Sequence, residues 1–144
     1  MFFRKSILAD TDEEALIYLI ISLEAIFSRN QQELRYRLSL RAAYFLSGTD
    51  NESRKNRFQL VYEMYKLRND IVHGRPLEKA QLKRLKSVSE LRILVKESIS
   101  RLIALATRLP DQKALVRLID SSITDWNNVA AIGPDQSIAG KAVQ

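Results

Sequence analysis

The chain has 144 residues, a net charge of +6 from 23 Lys and Arg against 17 Asp and Glu, one His and no Cys. That length suffices for one domain with its own core and no staples, and the lack of cysteine excludes a disulfide framework, a thiolate zinc site and a cysteine nucleophile. The basic balance, with a pI near 9.7, suits an anionic partner such as RNA, whereas one His and no carboxylates at metal spacing exclude a histidine metal site.

Asp10, Thr11 and Asp12 offer N-caps, and Glu13 and Glu14 suit the positive end of a first helix running to about Phe27. That helix is apolar nearly all round, as expected of an element buried on most sides. Its apolar run, 15–27, carries Glu24 and falls short of the roughly twenty residues a bilayer needs. The start, Met-Phe-Phe-Arg-Lys-Ser-Ile-Leu, lacks the apolar core and cleavage site of a signal peptide. A cytoplasmic protein with no membrane association is the expectation.

A second helix is predicted from near Gln31 to just before Gly48, with Leu34, Leu38, Ala42 and Phe45 on its inner face and Arg41 on the same stripe. After a polar turn, a third runs from about Glu52 to Val72, where Phe58, Val61, Tyr62, Tyr65 and Val72 form one stripe. Gly74 stops it, and Pro76 prevents easy continuation. The fourth is long, 77–107, with a seam of Leu85, Val88, Val95, Ile99, Leu102 and Ala106 interrupted at Arg92. Lys79, Lys83 and Lys86 line another of its faces. Pro110 ends it, and a short fifth helix passes through Leu115, Leu118 and Ile119 before the pattern fades from Ser121, with Trp126 docking the start of a tail. The expected fold class is all-α: a bundle of four main helices plus a short C-terminal helix. Residues 1–120 form the helical domain, and 121–144 a partly loose extension.

The chemistry gathers at the end of the third helix. Arg68-Asn69-Asp70-Ile71-Val72-His73-Gly74 holds the only histidine. Four residues advance about 400° on a helix, so Asn69 and His73 share a face, with Arg68 about 100° from Asn69 on the stripe of Phe58, Val61 and Tyr65. An arginine on an apolar stripe is costly unless a carboxylate pairs with it or it waits for a phosphate. Histidine is the side chain that moves protons near neutral pH.

This heptapeptide at a helix end resembles the signature of the HEPN superfamily, in which an arginine, usually followed by Asn, Asp or His, stands a few residues before a histidine. Leu23-Glu24-Ala25-Ile26-Phe27, the stretch from Tyr36 through Leu46, and Tyr65-Lys66-Leu67 leading into the motif are together similar to the ApeA-like HEPN branch, over roughly residues 4–105. The resemblance implies a metal-independent, cofactor-free endoribonuclease whose site forms where two copies pair as a homodimer. His73 would take the proton from a ribose 2′-hydroxyl, Arg68 would stabilise the phosphorane, and Asn69 would orient phosphate or imidazole. The products would carry a 2′,3′-cyclic phosphate and a 5′-hydroxyl, and DNA would not be cleaved. Family members act in phage defence, toxin–antitoxin pairs and stress responses. A cognate antitoxin is one expected partner; a further expectation, hinted at by the abrupt apolar start, is that this is the C-terminal domain of a longer protein whose N-terminal part senses the trigger.

Around the motif, Glu24 and Arg41 are expected to form a buried ion pair that fixes helix packing, with Glu24 orienting Arg68 or His73 as the functional alternative. Asp70 is a further supporting candidate. Arg92 is expected to snorkel. Tyr62 and Tyr65 are core residues with wet hydroxyls that could stack a base. Tyr65, Arg75, Lys79, Lys83 and Lys86 are the candidate RNA contacts, the lysines forming either a phosphate track or a solvated face. The rival expectation is a non-catalytic module that uses the same bundle for dimerisation or nucleic-acid binding, with His73 as a helix cap only.

Overall fold

The computed structural model describes residues 1–28 and 34–124. Trp126, the tail and the expected start of the second helix at Gln31 lie outside them. Among the described residues the chain is all-α, with α1 (Phe2–Leu8), α2 (Asp12–Phe27), α3 (Leu34–Ser47), α4 (Asn51–Val72), α5 (Lys79–Leu85), α6 (Val88–Leu105) and α7 (Gln112–Thr124). No helix among them is long and apolar enough to cross a membrane.

α2 is the axis of the bundle. Thr11 caps it by accepting the Glu14 N–H at 3.1 Å, ahead of an acidic first turn. Leu16, Leu19, Ile20, Leu23 and Phe27 are fully buried, and each of the other six helices packs on α2. An element covered on so many sides has little amphipathic signature to show. The carbonyls at its C-terminal end are met from α7, where Gln112 Nε2 donates to Ala25 at 2.6 Å and to Ile26 and Ser28 at 3.2 Å.

Arg41 does not pair with Glu24. Its guanidinium forks onto Asp120 of α7 at 2.8 and 2.9 Å and donates to the Phe27 carbonyl at 2.8 Å. A planar fork matches a carboxylate two bonds at a time, so Arg41 ties α3 to α7 and to the end of α2.

α4 begins at Asp50, whose side chain accepts the N–H groups of Glu52 and Ser53. Its buried seam is Val61, Met64 and Leu67, with Ile71 packed on the core. Phe58 and Tyr62 are half-buried and Val72 is exposed, so the expected stripe is rotated toward Met64 and Leu67.

The expected long fourth helix is two. At Lys86 and Ser87 the backbone closes i→i−3 bonds to Lys83 and Arg84, a tighter winding than the α-helix. α6 restarts at Val88 and buries Leu91 and Leu94 besides Val88 and Val95, while Ala106 falls beyond its end. The interruption at Arg92 is where α1, an element too short to show a period, lies across α6: Arg92 Nη2 donates to the Ser6 carbonyl at 3.1 Å. Arg92 is therefore a clamp and not a snorkel. α7 runs to Thr124, past the point where the sequence pattern fades, with Ile119 and Ser122 buried and the hydroxyls of Ser121, Ser122 and Thr124 satisfied on carbonyls of their own helix.

Candidate active site at the end of α4

α4 closes in a tight C-terminal cap. Gly74, at φ 66°, adopts the left-handed conformation that favours glycine. Its N–H donates to Ile71 at 3.0 Å and that of Arg75 to Asp70 at 2.9 Å, the two bonds of a Schellman motif. Asp70 then braces the loop that follows. One carboxylate oxygen accepts Arg75 Nη1 at 2.9 Å and the other accepts Gln81 Nε2 at 2.8 Å, while Gln81 Oε1 accepts the Glu78 N–H that opens α5. The backbone of His73 is thus fixed, with its N–H on the Asn69 carbonyl at 3.0 Å. Its side chain is exposed, and among the described residues the imidazole makes no hydrogen bond.

One turn inward, Arg68, Asn69, Tyr65 and Glu24 meet. Tyr65 donates its hydroxyl to Glu24 Oε1 at 2.9 Å. The other oxygen of Glu24 stands 3.9 Å from Arg68 Nη2. Arg68 Nη1 donates to Asn69 Oδ1 at 3.1 Å, and the guanidinium carbon lies 5.7 Å from the Tyr65 ring centre, within cation–π range. Arg68 Nε is buried and has no hydrogen-bond partner among the described residues. Burial first, then the hydrogen bond to Glu24 and its charge, push the Tyr65 hydroxyl up to about 12, against a smaller opposing pull from Arg68. Tyr65 thus stays protonated at neutral pH and serves as a donor.

This cluster opens onto a groove of about 410 Å³ between α3 and α4, lined by Leu34, Arg35, Tyr36, Tyr62, Tyr65 and Asn69. The structure therefore brings Glu24, Tyr65, Arg68 and Asn69 together and sets Asp70 with Arg75 under the His73 loop. Arg41 belongs elsewhere, at α7. Lys79, Lys83 and Lys86 are exposed on and just after α5. Among the described residues no three His, Cys, Asp or Glu side chains cluster as metal ligands would. Gln81 escaped the sequence reading, although its place three residues after Glu78 is a capping-box spacing. Arg35 escaped it too, because only the docking of α3 on α4 sets it beside Tyr62.

Comparison of the chain with protein-family models, curated proteins and solved structures finds no match.

Proposed function

We propose that the chain is a HEPN-type endoribonuclease that cleaves RNA without a metal, through Arg68, Asn69 and His73. The observation that supports this most is the state of Arg68. Its side chain is 21% exposed, and of its five N–H donors one is engaged by Asn69 while Nε is buried without a partner. Among the described residues the one carboxylate beside it, Glu24, stands beyond hydrogen-bond reach. A guanidinium held in place yet so little satisfied suits a phosphate that arrives with the substrate.

The chemistry follows from that placement. His73 takes the proton of the ribose 2′-hydroxyl, O2′ attacks phosphorus, and the bond to the 5′-oxygen breaks as that oxygen receives a proton. Arg68 meets the charge that builds on the phosphorane oxygens, and Asn69 orients the phosphate. In a homodimer paired at the ends of α4, the His73 of a second copy supplies the proton to the leaving group. The exposed imidazole, without a hydrogen bond among the described residues, supports that arrangement. The setting this reading implies is a cytoplasmic phage-defence or toxin–antitoxin system, with an antitoxin or a sensing domain as the controlling partner.

The test is RNA cleavage with EDTA present, comparing wild type with Arg68→Ala and His73→Ala. The expected result is cyclic-phosphate ends from wild type, and a loss of about 10²-fold or more in each variant. Cleavage that survives either substitution, or that needs added metal, sinks the proposal. RNA binding without cleavage would instead favour the second reading, a non-catalytic binding or dimerisation module. The position of His73 at a helix cap is the observation that favours that reading.

A further inference from the structure

The α3/α4 groove carries an arrangement the cleavage chemistry does not use. Phe58 and Tyr62 stack at 5.5 Å with an angle of 18° between their planes, and Tyr36 meets Phe58 edge-on at 5.6 Å. The guanidinium carbon of Arg35 stands over the Tyr62 ring, 4.2 Å from its centre, while its Nη2 donates to the Tyr62 hydroxyl at 2.7 Å. Tyr62 is thus flanked by Phe58 and Arg35 and acts as a support. The surface that remains for a ligand is the ring of Tyr36, 52% exposed, with the half-buried Arg35 beside it in the groove lining. Tyr36 keeps an exposed ring edge-on to Phe58, and Arg35 is held on Tyr62 by both its cation–π contact and its hydrogen bond. Both groups stack on planar heterocycles, and arginine adds charge.

The groove also has a direction. Asn69 and Tyr65 line its far end, and Asn69 is the residue to which Arg68 donates. On its other side Tyr36 borders a second groove, between α3 and α7, lined also by Arg37 and by the Arg41–Asp120 pair, whose charges cancel. An aromatic ridge beside Arg35 that leads to a phosphate-holding arginine is the pattern expected of a single-stranded nucleic acid path.

We propose that Tyr36 and Arg35 form a base-stacking subsite for single-stranded RNA, which feeds the strand past Asn69 to Arg68. The assignment rests on the reading of Arg68 as a phosphate holder. It selects unpaired RNA, because bases inside an A-form duplex keep their faces stacked on one another. Stacking discriminates weakly among bases, so the subsite sets strandedness and register and not sequence.

The experiment is fluorescence anisotropy with a labelled, unstructured RNA of about ten nucleotides and with the same sequence as a duplex. Binding is read in a His73→Ala background, so that no RNA is consumed. Tyr36→Ala and Tyr36→Ile are each expected to weaken single-strand binding by about five- to a hundred-fold, and Tyr36→Trp to keep it within about twofold. Duplex binding should be indifferent to all three. Tyr36→Ile keeps apolar bulk against Phe58 without an aromatic face, and an unchanged helical circular dichroism spectrum and melting point in both variants exclude unfolding as the cause of a shared loss. Unchanged single-strand binding in both, or an equal loss on duplex, overturns the subsite. Cleavage by wild type, scored separately, distinguishes the two failures. A Tyr36 effect without cleavage keeps the subsite and removes the enzyme, and cleavage without a Tyr36 effect does the reverse.

Discussion

The carboxylate of Glu24 stands 3.9 Å from the guanidinium of Arg68, near enough to hold the charge in place and too far to use up its hydrogen bonds. Its other oxygen is occupied by the Tyr65 hydroxyl at 2.9 Å. Tyr65 thereby fixes the carboxylate, and the carboxylate restrains Arg68. Restraint without full neutralisation is what a phosphate-binding arginine needs, because a bidentate carboxylate would compete with the incoming ligand.

We predict that Glu24→Gln separates positioning from binding. The amide keeps an oxygen for Tyr65 but loses the charge beside Arg68. RNA cleavage should fall about tenfold through misplacement of Arg68. Affinity for RNA should hold or rise, since a negative charge near the phosphate has gone. Single-turnover cleavage and anisotropy binding check both halves, and an unchanged cleavage rate would remove Glu24 from any positioning role.

Tyr65 makes a prediction in pH. Its folded-state value, about 12, lies above the ordinary 10.0, so the folded chain holds this proton more tightly than the unfolded chain does. The stability it contributes is fully present below pH 10 and is lost as pH rises through about 12. Urea midpoints taken across that alkaline window should fall more steeply for wild type than for Tyr65→Phe, which has no proton to lose. Parallel curves would contradict the placement of the hydroxyl against Glu24.

Arg41 is predicted to matter for folding and not for chemistry. Arg41→Ala removes two bonds to Asp120 and one to the Phe27 carbonyl, and should cost about 2–3 kcal/mol at the scale of hydrogen bonds to charged groups. Asp120→Asn keeps part of the geometry and should cost about 1 kcal/mol. Denaturant unfolding measures both. A loss of cleavage per folded molecule in Arg41→Ala, with stability unchanged, would instead return Arg41 to the site.

What could be read before folding was local. The ends of α2 and α4 follow from Thr11, from the polar turn that holds Asp50, and from Gly74, since caps are decided by neighbours in the chain. The meeting of Arg68 with Asn69 follows from adjacency and that with Tyr65 from helical spacing. The partner of Arg41 was not legible: Glu24 and Asp120 are both acidic, and only the seating of α7 decides between them. The break at Lys86–Ser87 was hidden because Leu85 and Val88, three apart, also satisfy a continuous helix. α1 is seven residues long, too short for a period to emerge. The Tyr36–Arg35 groove exists only once two helices dock, so no single stretch of sequence announces it.

The two halves of the candidate site close over very different lengths of chain. The brace under His73 joins residues five and eleven apart, Asp70 to Arg75 and Asp70 to Gln81. It can form as soon as that stretch of chain is free to coil, since short loops close fast. The restraint on Arg68 runs through a contact spanning 41 residues, Glu24 to Tyr65, and the Arg41 tie that seats the last helix spans 79. The histidine loop thus needs only neighbouring chain to close, whereas the restraint on the guanidinium exists only where α2 and α4 meet.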